Sequence, residues 1–189
     1  MGGIHDRLRL LLCSLSLTVL TGCAGLPKGI EPVQDFELNR YLGRWYEVAR
    51  LDHSFERGLT RVMTEYSMRD DGGVKVVNRG YQAESGSWKE AVGRAYFVRS
   101  PREGYLKVSF FRPFYGTYVI MELDQGYEYA LVCGANRKYL WILAREPDLD
   151  EVVKQRLIAR AKELGFAVDK LIYPQVGDPR TSAAAQVDL

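Results

Sequence analysis

Cysteine is scarce in this chain, with three in 189 residues: Cys13, Cys23 and Cys133. So few cannot form a disulfide framework, and a stable fold must rest on its hydrophobic core. Histidine is scarcer still. His5 and His53 are the only two, and neither has a second His or Cys at metal-ligand spacing. No zinc or haem site is expected, and no cofactor. There is no run of Lys and Arg, and the net charge is only +2, which removes nucleic acid from the expected partners. Gly-rich phosphate loops and nucleophile elbows are missing too, so no catalytic residue is expected. The apolar stretch 10–20 has eleven residues, too few to span a bilayer.

What is present is a periodic, aromatic chain: Phe, Trp and Tyr make up 12% of it, with twelve tyrosines. Arg7 and Arg9 precede the apolar stretch, and small Thr21 and Gly22 follow it, which is the plan of a secretory signal peptide over 1–22. Residues 23–35, with two prolines and two glycines, are expected as a linker. Residues 177–189 are small and polar and are expected as a disordered tail. Between them the pattern predicts strands at 44–51, 60–68, 74–81, 89–98, 105–111, 117–123, 127–133 and 139–145, separated by turn chemistry such as Asp70-Asp71-Gly72-Gly73. Eight strands at this spacing fit an antiparallel sandwich or an up-and-down barrel. The period then lengthens: Leu149, Val153, Leu157, Ala161 and Leu164 form a helical stripe. Asp148 and Glu151 form the expected capping box, Gly165 the expected stop, and Leu171-Ile172-Tyr173 a short closing strand.

Two resemblances sharpen this reading. Leu20-Thr21-Gly22-Cys23 resembles the lipobox of bacterial lipoproteins. It implies cleavage before Cys23, acylation of that cysteine, and a lipid-anchored domain. Ala24 resembles the outer-membrane sorting pattern, so the implied location is the cell outer membrane. Gly43-Arg44-Trp45-Tyr46 matches the Gly-x-Trp motif of the lipocalins, Leu123-Asp124 with Tyr127 resembles their second motif, and Arg145 matches the arginine of their third. Over about 36–176 the chain is similar to bacterial lipocalins, relatives of apolipoprotein D. The implied architecture is an all-β, eight-stranded antiparallel up-and-down barrel with one C-terminal helix packed outside. Gly43, Trp45, Asp124 and Arg145 are then motif residues with structural roles. Trp45 would plug the narrow end beneath the Arg145 guanidinium, a contact worth about 0.5–2 kcal/mol.

Inward positions alternate along barrel strands, and eight strands enclose room for one small ligand. Taking Trp45 as inward places Glu47 and Ala49 inside, and counting back from Arg145 adds Leu143, Trp141 and Tyr139. The same alternation adds Thr64, Tyr66, Val76, Asn78, Ala91, Gly93, Ala95, Phe97, Val108, Phe110, Tyr118 and Ile120, unless a bulge flips the register. This lining is largely apolar, as a lipid tail requires, although the same side chains can instead fill the barrel. Arg50, His53, Arg57, Arg61, Arg79 and Arg112 stand at strand ends or in the loop 52–59, which resembles the lipocalin lid. An arginine at the mouth can pair with a phosphate or carboxylate.

The resemblance implies a membrane-anchored binder of fatty acids or lysophospholipids, serving membrane maintenance under stress, with a homodimer as a further possible partner through the exposed aromatics near Phe114. Two alternatives stay open. One is a lipocalin-type isomerase or hydrolase, for which Cys133 is the only candidate nucleophile, against its reading as a buried inert thiol. The other is a filled barrel used as a scaffold.

Overall fold

The computed structural model describes residues 25–174. The expected signal peptide, Cys23 and the tail from 177 onward therefore lie outside the described residues. A short helix, α1 (Leu38–Tyr41), leads into eight strands: β1 (Gly43–Leu51), β2 (Leu59–Met68), β3 (Val74–Gln82), β4 (Ser87–Phe97), β5 (Tyr105–Ser109), β6 (Gly116–Leu123), β7 (Tyr129–Cys133) and β8 (Leu140–Ala144). Each pairs antiparallel with the next, and β1 pairs with both β8 and β2, closing the barrel. Helix α2 (Glu151–Glu163) and strand β9 (Leu171–Ile172) complete the chain.

The alternating sequence produces two cores. The inner one fills the lower barrel with Trp45, Tyr66, Val74, Val76, Ala95, Leu106, Ile120, Val132 and Leu143. The outer one lies between the barrel wall and α2, where Leu157 and Ala161 are fully buried against Val119, Leu131, Cys133, Leu140 and Ile142. Leu149, Val153 and Leu164 complete the helical stripe. Among the described residues these two clusters form a hydrophobic core of their own, as an independently folding domain must have. Trimming Leu157 to Ala would cost about 2–5 kcal/mol.

Three local details differ from the sequence expectation. The N-cap of α2 is Asp150, not Asp148. Its side chain accepts from the Val152 and Val153 amides, the donors that an N-cap side chain at that position reaches. Strand β7 starts at Tyr129 because Tyr127 takes a left-handed φ of 63° in the preceding turn. The stretch read as a linker is packed down over part of its length. Ile30 is buried, and Val33 bonds through its backbone to Ile120 and Gly104.

A β-bulge in β1 matters most. Glu47 pairs with Leu143 and Ala49 with Ile142, so the register slips by one between them. Beyond the slip the faces exchange. Ala49, expected inside, packs in the outer core opposite Ile142, and Arg50 points inward beside Trp141. At its upper end β1 also changes partner. Only Gly43 to Tyr46 pair with β2, whereas Arg50 and Leu51 pair with β9.

Candidate functional site: the barrel lumen and its lid

The narrow end is closed by aromatic side chains. Trp45 is fully buried and donates its indole N–H to the Tyr41 carbonyl at 2.8 Å. Arg145 lies over the Trp45 ring, 4.1 Å from its centroid. Its guanidinium also donates to the carbonyls of Arg40 (2.6 Å), Arg44 (2.8 Å) and Tyr127 (3.2 Å), tying α1, β1 and the β6–β7 turn together. Gly43 takes a φ of +91°, a left-handed conformation suited to glycine, and a Cβ there would stand 3.4 Å from the Arg145 guanidinium. Asp124 caps the β6–β7 turn, accepting from the Gly126 amide at 2.8 Å.

Above Trp45 three tyrosines join hands. The Tyr118 hydroxyl lies 2.7 Å from that of Tyr41 and 2.8 Å from that of Tyr66. Burial holds all three phenols well above the ordinary tyrosine value, so they stay neutral donors and acceptors. They share the lining of a cavity with Phe36, Val74, Ala95, Leu106 and Val108; its volume of about 10 Å³ suits one water. Thus Tyr66, Val76, Ala95, Phe97, Val108, Phe110, Tyr118 and Trp141 all belong to the inner cluster. Asn78 faces Thr64 across the β2–β3 pair and accepts from its hydroxyl at 2.9 Å.

The mouth holds a buried ionic cluster. Arg50 is 2% exposed; one terminal nitrogen donates to Glu47 at 2.5 Å, and the other to the carbonyls of Glu56 (2.9 Å) and Leu59 (3.2 Å). Its Nε is buried without a partner. Glu56, carried down by the loop between β1 and β2, accepts from the Trp141 indole at 3.1 Å and sits 3.0 Å from His53 Nε2. Burial and the adjacent Glu56 charge raise the Glu47 carboxyl well above the usual 4.5, outweighing Arg50. Burial also opposes the Glu56 charge, but contacts with His53, Trp141 and Glu47 overcome it and lower that carboxyl. His53 stacks on Phe55 (3.9 Å between centroids), and Tyr139 lies 5.9 Å from His53. This loop is a lid whose His53 and Glu56 side chains hang inward and whose Phe55 ring faces out.

Arg50, expected among the mouth arginines, is in the mouth cluster, whereas Glu56 is the residue sequence reasoning missed. The signal for Glu56 was its place three residues after His53 and directly after Phe55 in the loop. The other expected mouth arginines sit differently. Arg57 is exposed and pairs with Asp52 at 2.7 Å; Arg79 bridges Glu65 (3.3 Å) and Glu90 (2.8 Å) on the outer wall. Arg61 lies over the Tyr81 ring at 5.6 Å. Cys133 is buried in the outer core, and burial pushes its thiol up to about 12, far from a reactive thiolate. Phe111 and Phe114, 80% and 76% exposed, stand on the loop after β5.

A closed eight-stranded barrel, plugged at one end and lidded at the other, defines a protein of the binding-barrel class. Residues 36–176 match the model of the lipocalin-like domain, and the chain belongs to the lipocalin family. It is 57% identical over 167 residues to the outer membrane lipoprotein Blc of Vibrio cholerae, covering 88% of this chain and 96% of that protein. Apolipoprotein D of Macaca fascicularis is 33% identical over 153 residues, 71% of this chain and 79% of that one. Among solved structures, insecticyanin from the tobacco hornworm superposes with a TM-score of 0.65 over 82% of this chain and 88% of its own, at 18% identity, a likeness of fold.

Proposed function

We propose that the protein is a lipid-binding lipoprotein of the outer membrane, anchored through Cys23, whose lumen takes a fatty acid or lysophospholipid. The observation that carries this reading is the buried Arg50 guanidinium with an unspent Nε donor, set above an apolar, aromatic-floored barrel. An acyl tail gains about 0.8 kcal/mol for each CH₂ it buries among such side chains. A carboxylate or phosphate head would meet Arg50, His53 and the Trp141 indole, the donors that Glu56 now occupies. With the lid inward the floor cavity admits only about one water, so a tail enters after Glu56 swings out. The names of the Vibrio relative and of apolipoprotein D support the anchor and the cargo class. Among the described residues no helix is long and apolar enough to cross a membrane. Membrane maintenance under stress is the role this cargo would serve, and the neutral, buried Cys133 speaks for carriage rather than turnover.

The small enclosed volume favours a second reading, a filled scaffold. Native mass spectrometry of residues 24–189 with oleate and with lysophosphatidylethanolamine separates the two. A one-to-one adduct, weakened at least tenfold by Ala95→Phe in a variant with unchanged circular dichroism, is the expected result. No adduct with either lipid would establish the scaffold.

A further inference from the structure

On the outer wall, away from the lumen, a row of residues crosses four strands: Ser67 faces Lys75, Lys75 faces Arg94, and Arg94 faces Ser109. These positions alternate with the lumen residues Tyr66, Val76, Ala95 and Val108, so they point outward. Two cations directly opposite each other in a sheet repel, and an acid between them would relieve the cost. Among the described residues Lys75, Arg94 and Arg112 form no ion pair.

At the same place the wall opens. Strand β5 pairs with β4 only from Arg94 to Phe97, and beyond Ser109 the two strands part. Gly93 lets the chain close in at the fork: a Cβ there would come within 2.8 Å of the Ser109 carbonyl and 2.9 Å of the Phe110 ring. The result is a cleft of about 150 Å³ lined by Arg69, Val92, Gly93, Arg94, Ser109, Phe110 and Arg112. Ser109 is 4% exposed, and its hydroxyl has no hydrogen-bond partner. A buried hydroxyl left unsatisfied is costly, and one on a residue that lines the cleft together with two arginines suits an absent acceptor. Arg69 is already held by Asp71, at 2.7 and 2.9 Å, and closes the cleft on one side.

We propose that the cleft framed by Arg94, Arg112 and the buried Ser109 hydroxyl binds a phosphate-class oxyanion, carried on a lipid headgroup or free in solution. Arginine forks match such oxygens in pairs, and the cleft volume holds the anion with its bridging water. The cleft shares the Phe110 ring with the inner cluster, but Arg94 and Ser109 belong to the outer wall, and the proposal does not rest on the lipid-carrier reading.

The test is a titration of ¹⁵N-labelled residues 24–189 with sodium phosphate, against sodium chloride at equal ionic strength. Saturable shifts of the Arg94 and Arg112 Nε–H signals and the Ser109 amide are expected, lost in Arg94→Gln/Arg112→Gln and at least threefold weaker in Ser109→Ala. Arg79→Gln, on the same wall, should leave them intact. Shifts that fail to saturate, that chloride reproduces, or that survive the double substitution would overturn the proposal. Cosedimentation with phosphatidylglycerol and phosphatidylcholine vesicles then tells the sources apart. A headgroup ligand shows binding to the anionic vesicles that falls at least tenfold in the double variant. Free phosphate is the ligand when the titration saturates and both proteins sediment alike. Lumen occupancy, followed separately by lipid adducts, stays unchanged in the double variant, so failure of either site is read independently.

Discussion

Inside the mouth of the barrel Arg50 donates to Glu47 at 2.5 Å, and the two side chains are 2% and 3% exposed. Breaking such a pair leaves an uncompensated charge or orphaned donors in low dielectric. Arg50→Met also removes the bonds to the Glu56 and Leu59 carbonyls. It should destabilise the domain by about 3–5 kcal/mol. Urea unfolding followed by far-UV circular dichroism reads this directly; a loss below about 1 kcal/mol would mean the cluster is well solvated in solution.

Glu47 gives the same cluster a pH signature. Its carboxyl is raised above 4.5, chiefly by burial, so the folded state holds that proton more tightly than the unfolded chain does. Unfolding then releases a proton, and the stability that Glu47 contributes is complete below its unfolded pKa and fades as pH rises through the folded one. Glu47→Gln keeps the neutral form at every pH. Its urea midpoint should gain on that of the unsubstituted domain as pH climbs from about 4 toward 8. A difference independent of pH would show that Glu47 titrates normally.

How far the sequence led is visible in these two residues. Alternation from Trp45 correctly runs inward to Glu47, since period two is a direct consequence of the pleat. It then fails at Ala49, because Val48 carries no mark of a bulge and Tyr46-Glu47-Val48-Ala49-Arg50 reads as unbroken strand. The eight strands, the helix and the closing β9 were legible from turn residues and period. The lid was legible only as a loop. That Glu56 folds into the barrel depends on Arg50 being there to receive it, and Arg50 is inside only because of the bulge.

Cys133 offers a chemical probe of the outer core. It is the sole cysteine of residues 24–189, and its thiol is pushed up to about 12 by burial beneath α2. In the folded domain an aromatic disulfide reagent at pH 8 should modify it no faster than global unfolding exposes it. Labelling that is fast in native buffer and unaffected by stabilising salts would place the thiol at the surface.

Gly43 precedes Trp45 in a conformation with a φ of +91°. An alanine there would adopt a left-handed backbone and crowd the Arg145 guanidinium, which stands 3.4 Å from the Cβ position. Gly43→Ala should cost about 1–2 kcal/mol. Its thermal midpoint should fall accordingly, while Gly25→Ala, with nothing within 4 Å, should leave the midpoint in place.

The exchange of partners along β1 has a mechanical meaning. Only four residue pairs, Gly43 to Tyr46 with their partners, stitch β1 to β2, and above them the backbone rungs go to β9 instead. Arg50 takes over the stitching there, its guanidinium reaching the carbonyls of Glu56 and Leu59 on the far side of the gap. The barrel is therefore a tube with a slit, laced at the top by one side chain rather than welded by backbone. On the lipid-carrier proposal, a guest whose oxygens claim Arg50 would undo that lacing in the act of being recognised, and the group that greets the cargo would also be the latch on its door.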